Sequence, residues 1–151
     1  MDNSPTSSLY ILGFDIGGTK TAAVLGDAGG QVHARLEFPT PAAEPFEAAL
    51  EGMLAAGDEL VAVTHELGLP GPGAISAAVG GPLDIERGVI FSPPHLPTWD
   101  GAPLKARLEE HFHLPVFIEH DGNAGALAEF YFGAGRGARR SPPSSRTTRA
   151  R

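Results

Sequence analysis

The start of the chain holds strand-like segments joined by glycine turns, and this pattern constrains the fold more than any other feature. Residues 9–15 form a short apolar run that ends in an aspartate, and an Ile-Gly-Gly turn follows it. Residues 19–25 are again largely apolar, and residues 31–38 alternate apolar with polar side chains. Such segments bounded by turn residues are typical of strands. We therefore predict a three-stranded antiparallel meander at the front of the domain.

Helical and strand-like segments alternate after the meander. Helical spacing of apolar residues predicts three helices, over residues 46–67, 103–112 and 123–132. Strands are predicted over residues 74–79 and 116–120, with a short hairpin over 83–91 and a proline-rich loop over 92–100. The alternation predicts an α/β domain with a mixed sheet and flanking helices.

Composition excludes several classes of protein. The chain has 151 residues, 42% of them apolar, which suffices for one domain with a buried core. The absence of cysteine excludes a disulfide scaffold, a thiolate metal site and a cysteine nucleophile. No apolar run approaches the ~20 residues that span a bilayer, and the polar residues 1–8 lack the pattern of a secretory signal. We expect a cytoplasmic protein with no membrane partner and a disordered N-terminus over residues 1–8.

Charge is divided unevenly along the chain. Residues 1–135 carry five Lys or Arg and all 18 Asp and Glu, a formal charge of −13, whereas residues 136–151 carry six arginines and no acid. From residue 139 onward there is one aliphatic residue and no aromatic one, so burial cannot offset the entropy of ordering. We predict a disordered basic tail over residues 138–151. Clustered arginine attracts phosphate, but the acidic body argues against nucleic acid as a partner.

The Asp-Ile-Gly-Gly-Thr-Lys turn after the first strand carries candidate phosphate-binding chemistry. Gly17 and Gly18 let backbone N–H groups approach an anion closely, since no Cβ blocks the way. Thr19 can add a hydroxyl donor and Lys20 a positive charge. Asp15, at the end of a strand, can hold Mg²⁺ directly or through water.

Two common phosphate motifs do not fit this turn. The spacing of a Walker loop fails because a threonine displaces the lysine by one place. The dinucleotide fingerprint fails because a strand, not a helix, follows the glycines. A plain hairpin turn also explains two glycines between strands, so the turn by itself leaves both interpretations open.

Four motifs in a fixed order extend this observation. After the glycine turn come Val-Gly-Gly-Pro-Leu-Asp at residues 79–84 with Gly-Val-Ile at 88–90, and then Pro-His-Leu-Pro-Thr-Trp-Asp at 94–100. The last is Glu-His-Asp-Gly-Asn-Ala at 119–124, followed by Ala-Glu at 128–129 and a glycine-rich end at 132–137. Together they resemble the ROK family of sugar kinases, repressors and uncharacterised reading frames. The resemblance covers residues 9–137 and implies the small domain of the actin-like ATPase (ribonuclease H-like) fold.

The resemblance implies ATP-dependent phosphorylation of a hexose, glucose or a related sugar, at the 6-hydroxyl. It implies that Asp121 is the catalytic base and that the turn holding Asp15 binds the phosphates of ATP and Mg²⁺. It further implies sugar contacts from Gly81, His95, His120 and Asp121, although histidine stands at positions 95 and 120 where the family often has asparagine. A carboxylate within reach of a hydroxyl can accept its proton, but Asp121 and Asn123 also suit helix capping.

The family's kinases continue into a second, larger domain that this sequence does not contain. That domain carries a further phosphate segment, the adenosine segment, a Glu and a His of the sugar site, and a structural zinc motif. The Arg-, Pro- and Ser-rich tail has the composition of GC-rich DNA translated out of frame, with a natural disordered tail as the alternative. We interpret the chain as a truncated or frameshifted member that is inactive alone.

Two other functions stay open beside the kinase. One is a sugar-responsive transcriptional regulator of the same family that lacks its DNA-binding domain. The other is a remnant without enzymatic activity. The resemblance also implies that full-length relatives form homo-oligomers.

Overall fold

A five-stranded sheet forms the centre of the computed structural model, which describes residues 9–91 and 94–125. The strands are β1 (Tyr10–Ile16), β2 (Lys20–Asp27), β3 (Val32–Pro39), β4 (Ala74–Val79), β5 (Leu83–Asp84), β6 (Val89–Ile90) and β7 (Val116–His120). The helices are α1 (Phe46–Glu66) and α2 (Leu104–Phe112), with a 3₁₀ turn at Pro97–Trp99. The predictions for residues 1–8, for most of the third helix and for the tail lie outside the described residues.

The sheet order is β3-β2-β1-β4-β7, with β5 and β6 paired as a separate small hairpin. β1, β2 and β3 pair antiparallel, whereas β1, β4 and β7 are parallel to one another. The predicted front meander and mixed sheet are therefore confirmed. Each antiparallel connection is a short turn, while each parallel connection contains a helix that brings the chain back to the same end of the sheet.

The first helix begins and ends where the sequence places its breakers. Pro45 precedes α1 with an extended backbone, and the helix stops before Gly68, whose φ of 65° is the left-handed conformation favoured at helix ends. The N–H of Leu69 donates to the carbonyl of Thr64 at 2.8 Å, which satisfies one of the last helical carbonyls. The buried face of α1 consists of Phe46, Ala49, Leu50, Met53, Ala56, Gly57, Leu60 and Thr64.

This face of α1 packs on one side of the sheet and forms the core together with α2. Leu12 and Leu60 are fully buried there, as are Leu104 and Leu108 of α2. The other side of the sheet exposes Phe117, whose relative exposure is 65%. Among the described residues, no helix has both the length and the apolar character needed to cross a bilayer.

Candidate active site

Three parallel strands end at one edge of the sheet and place the predicted residues together. Ile16, Val79 and His120 are register partners across β1, β4 and β7, so the residues that follow them emerge side by side. In open α/β sheets, the carboxyl ends of parallel strands are where ligands bind, at the point where the strand order reverses. That reversal lies between β1 and β4 here, because the chain adds β2 and β3 on one side and β4 on the other.

A small solvent-open cleft of about 70 Å³ lies at this edge. It is lined by Ile16, Gly17, Gly18, Gly80, Gly81, Pro94, His95, Leu96 and Asp121. Five of the site residues predicted from the sequence are among them: Gly17, Gly18, Gly81, His95 and Asp121. Four others do not line the cleft: Asp15, Thr19, Lys20 and His120. The strand ends therefore bring the glycine turn and the candidate base to one place, and the loop of His95 covers them.

The two glycines of the turn are needed for space rather than for an unusual backbone. Neither Gly17 nor Gly18 adopts a positive φ. A Cβ on Gly18 would lie 2.6 Å from the Cβ of His95, and a Cβ on Gly17 would lie 2.9 Å from the carbonyl oxygen of Lys20. The close approach of the His95 loop to the turn is what requires glycine at position 18.

Only part of the turn is available to an anion. The N–H of Gly17 donates to the carbonyl of Lys20 at 3.0 Å and closes the hairpin, so it differs from the free donor that the sequence predicted. Within the described residues, the N–H groups of Gly18 and Thr19 donate to no protein acceptor. Successive free N–H groups in a turn form a concave site for an anion.

Thr40, a buried residue that the sequence analysis did not identify, holds the glycine turn in place. The N–H of Thr40 donates to the carbonyl of Thr19 at 2.9 Å, and the hydroxyls of Thr40 and Thr21 lie 2.8 Å apart. Both threonines are buried. No local pattern could have predicted this contact, since it joins residues about twenty positions apart through the meander.

Lys20 points to the neighbouring strand in this structure. Its Nζ donates to Oε1 of Glu37 at 3.0 Å, and Arg35 also contacts that carboxylate. These hydrogen bonds, from Lys20 first and Arg35 second, hold the pKa of Glu37 below its ordinary value. The ammonium is exposed and its pair is at the surface, where such pairs contribute little to stability. A role for Lys20 toward phosphate stays a prediction.

Asp15 lies on the face of the sheet opposite to Ile16. It is exposed, and the register Asp15–Ala78–Glu119 places its side chain on the same face as Glu119, two strands away. No group of three or more metal-ligating side chains occurs in the part of the chain that the structure describes. A single exposed carboxylate fits the way proteins hold Mg²⁺ with phosphates, through one or two carboxylates and several waters, and does not fit an all-protein cage.

Asp121 presents its two carboxylate oxygens to different surroundings. Oδ1 accepts the N–H of Gly122 at 2.7 Å, whereas Oδ2 faces Gly80, where a built Cβ would lie only 3.1 Å from it. Gly80 lines the cleft, so Oδ2 is the oxygen directed there. The described helical residues begin at 121, two positions earlier than predicted, and Asp121 accepts from its immediate neighbour rather than from the second or third N–H that a cap would engage.

The residues beside Asp121 form a network of their own. Oε1 of Glu119 accepts the Nδ2 of Asn123 at 3.0 Å and the backbone N–H of His120 at 2.8 Å. These donors, Asn123 first, hold the pKa of Glu119 below its ordinary value. His120 does not line the cleft, and its Nδ1 lies 3.2 Å from Oδ1 of Asp121.

The His95 loop is fixed by its downstream end. Trp99 is fully buried and packs edge-on against Phe46, with ring centroids 5.1 Å apart. The hydroxyl of Thr98 donates to the carbonyl of Glu44 at 2.5 Å. These contacts tie the loop to the segment before α1 and hold His95 over the glycine turn.

Comparison with known proteins places this geometry in a family. The model of the ROK family matches residues 11–141. The chain belongs to the ROK family. Over 128 residues it is 35% identical to a glucokinase of Streptomyces coelicolor, an alignment that covers 85% of this chain and 38% of the relative.

Solved ROK structures share the fold. A ROK family glucokinase from Streptomyces griseus, in complex with glucose and AMPPNP, is 34% identical with a TM-score of 0.69, covering 85% of this chain and 38% of that one. A ROK hexokinase from Thermus thermophilus is 38% identical with the same TM-score, covering 81% and 38%. The ROK chain thus has the actin-like ATPase fold and spans 38% of the length of these relatives.

Repressors are also among the relatives. The DNA-binding transcriptional repressor Mlc of Escherichia coli is 36% identical over 77 residues, which is 51% of this chain and 19% of that protein.

Proposed function

We propose that this ROK chain is the small domain of an ATP-dependent hexose kinase that phosphorylates the 6-hydroxyl of glucose or a related sugar. The observation that carries the proposal is the cleft, which is lined by Asp121, by Gly18 with its free N–H and by His95. Phosphoryl transfer needs a base at the acceptor hydroxyl and donors at the phosphates, and the carboxylate of Asp121 and the free N–H groups of the turn are groups of these two kinds.

In the proposed reaction, Oδ2 of Asp121 accepts the proton of the sugar hydroxyl. The hydroxyl oxygen forms a bond to the γ-phosphorus of ATP, the bond from that phosphorus to the bridging oxygen breaks, and ADP leaves. A positioned general base contributes about 10²–10⁴-fold to such a step. The hydrogen bond from Gly122 to Oδ1 leaves Oδ2 free for this role.

The phosphates of ATP are proposed to bind at the N–H groups of Gly18 and Thr19, with Lys20 reaching them once it leaves Glu37. Asp15 would hold Mg²⁺ through water or directly, and the ion would neutralise the charge that develops on the phosphates. Gly81 and His95 are proposed to contact the sugar. Gly81 has a φ of 98°, a conformation that is strained for any residue with a side chain. Because glycine has no Cβ, the backbone at this position can approach a ligand closely.

The similarity to Mlc supports a second candidate, a sugar-responsive regulator. A regulator would use the same cleft to bind sugar without transferring phosphate. Sugar binding without ATP turnover, in a protein that contains the rest of the sugar site, would favour the regulator over the kinase.

We expect the 151-residue chain alone to show no hexose phosphorylation above background. By the family resemblance, the groups that bind adenosine and complete the sugar site belong to segments beyond the matched region. Positioning contributes about 7–11 kcal/mol to such barriers, and at about 1.36 kcal/mol per tenfold the lower figure alone is on the order of 10⁵ in rate. A good base does not compensate for that loss.

A chimera tests the proposal. Residues 1–137 of this chain would be joined to the remaining part of the Streptomyces coelicolor glucokinase, and ADP release would be measured with glucose and ATP. We expect activity in the chimera and its loss in Asp121→Asn, which keeps the shape of the side chain and removes the base. Asp58→Asn is the matched control and should remain active, because Asp58 contacts His111 of α2 and does not line the cleft.

Two outcomes of these assays would contradict different parts of the proposal. Full activity of the Asp121→Asn chimera would remove Asp121 from its role as base. Turnover by the 151-residue chain alone would overturn the prediction that it is inactive.

A further inference from the structure

One short segment between β3 and α1 contacts both sides of the cleft. Gly18 of the glycine turn lines one side, and the loop of His95 lines the other. Residues 40–44, called the bridging segment, hold the turn because the N–H of Thr40 donates to the carbonyl of Thr19 at 2.9 Å. The same segment accepts a hydrogen bond from the His95 loop. Its shape therefore bears on the distance between the two sides.

The bridging segment is held in one shape by its own hydrogen bonds. The N–H of Ala42 donates to the carbonyl of Thr40 at 2.8 Å, and the N–H of Glu44 donates to the carbonyl of Pro41 at 3.0 Å. At the first residue of the segment, the hydroxyl of Thr40 lies 2.8 Å from that of Thr21, and both residues are buried. A displacement at one end of the segment is therefore passed on to the other end.

Thr98 makes the contact from the His95 loop. It lies in the 3₁₀ turn Pro97–Trp99, but its hydroxyl reaches out of that turn and donates to the carbonyl of Glu44 at 2.5 Å. The carbonyl oxygen of Ala42 lies 3.5 Å from the same hydroxyl oxygen. Thr98 is exposed, whereas its neighbour Trp99 is fully buried in the core. Core packing thus explains Trp99 and leaves the hydrogen bond of Thr98 to be explained.

Together these contacts form a closed ring that includes both sides of the cleft. Its members, in order, are Gly18, Thr19, Thr40, the rest of the bridging segment, Thr98 and His95. The step that closes the ring is tight, because a Cβ on Gly18 would lie only 3.0 Å from the carbonyl oxygen of His95. A change at any one contact of the ring therefore alters the fit between the loop and the turn.

We propose that Thr98 is a positioning residue that sets how closely the His95 loop approaches the glycine turn. It acts through the bridging segment and does not itself line the cleft. Its effect on phosphoryl transfer rests on the proposed function, in which the turn binds phosphate and the loop contacts the sugar. The connection between Thr98 and Gly18 does not rest on it.

Amide NMR of the 151-residue chain tests the proposal without sugar or nucleotide. Thr98→Val keeps the shape of the side chain and removes its hydroxyl. We expect the ¹H–¹⁵N resonance of Gly18 to move in this variant, although the two positions are far apart in the sequence, because His95 lies against Gly18. Thr98→Ser keeps the hydroxyl and should leave that resonance in place. Thr98 is exposed, so both variants leave the core unchanged.

Thr64→Val is the matched control for the loss of a hydroxyl. The hydroxyl of Thr64 donates to the carbonyl of Val61 at 2.6 Å within α1, and Thr64 belongs neither to the ring nor to the cleft. The Gly18 resonance should not respond to it. A Gly18 resonance that stays in place in Thr98→Val would overturn the proposal. An equal shift in Thr64→Val would overturn it as well, since the effect would not pass through the ring.

Kinetics of the chimera separate positioning from binding. In Thr98→Val the groups proposed to bind glucose and ATP all remain, so both KM values should change little. We expect kcat to fall roughly tenfold, because the two substrates are then held less accurately relative to each other. Thr98→Ser should restore kcat. A higher KM for glucose with an unchanged kcat would contradict the positioning role, whereas an inactive chimera would contradict the proposed function and leave the amide result standing.

Discussion

The two faces of the central sheet differ in what they contribute. On the face under α1, Leu12 and Phe14 are buried beneath apolar side chains of the helix. On the opposite face, small and polar residues such as Gly13 and Ser76 alternate with them, and Phe117 lies exposed at the edge strand. The same strands therefore carry a packed core on one side and an open surface on the other.

This difference shows how stability and chemistry are separated in the domain. The covered face fixes the register of β1, β4 and β7, because a one-residue slip would turn the core side chains outward. The fixed register places the glycine turn, Gly80 and Asp121 at one edge. The edge can consist of glycines and polar side chains because it does not have to supply the stability of the fold.

The largest loss of stability should come from truncating a side chain on the face of the sheet that α1 covers, called the covered face below. Leu12→Ala removes a fully buried side chain, and we expect the free energy of unfolding to fall by about 2–5 kcal/mol. Phe117→Ala, on the open face, should change it by less than about 0.5 kcal/mol, as for other surface positions. Urea unfolding followed by circular dichroism measures both.

Phe117→Ala also tests directly whether the face of the sheet opposite α1 is exposed in solution. If Phe117→Ala costs as much as Leu12→Ala, then the open face is covered in solution. Binding of a hydrophobic dye should decrease in Phe117→Ala if the face is open, because exposed apolar patches bind such dyes and promote association.

An intermediate loss of stability should come from disturbing the contact between α1 and α2. A Cβ on Gly57 would overlap Cζ of Phe112 and would lie 3.2 Å from Cδ2 of Leu12. Gly57→Ala therefore overpacks the covered face, and we expect a loss of about 1–3 kcal/mol despite the better helix propensity of alanine. Thermal unfolding checks this.

Gly52→Ala in the same helix is the matched control. Its Cβ would lie 3.3 Å from Cε2 of Phe38, a ring at the border of the core that can move by a few tenths of an ångström. Helix propensity should then dominate and leave this variant as stable as the original or better. Equal losses of stability in both variants would show that the contact with Phe112 is not the reason why position 57 requires glycine.

The smallest change in stability should come from the His33–Asp27 contact at the β2–β3 hairpin. A hydrogen bond from His33, followed by backbone N–H groups, lowers the pKa of Asp27 below its ordinary 3.8. The stability from this lowering is fully present above pH 3.8 and is lost as the pH falls through the folded-state value. His33→Leu should weaken that pH dependence, measured by urea unfolding at a series of pH values. An unchanged dependence in this variant would assign it to another carboxylate.

Local patterns in the sequence were enough to predict the elements of the fold. Alternation over β3, helical spacing over α1 and glycine or proline at the boundaries are properties of neighbouring residues, and the structure confirms the elements they predict. The family resemblance, confirmed by the match over residues 11–141, pointed to the cleft residues. The helix at Asp121 begins two residues before its predicted start, a difference of the size by which helix boundaries commonly vary.

The sequence by itself determined that β1 would end in a glycine turn and β7 in an aspartate, since both follow from short-range pattern. Only the tertiary structure decided that Gly18 must be glycine because His95 lies against it, and that Gly80 leaves room for Oδ2 of Asp121. Those requirements come from contacts between segments far apart in the chain. They exist only once the core on the covered face has fixed the three parallel strands in register, and no pattern of neighbouring residues encodes them.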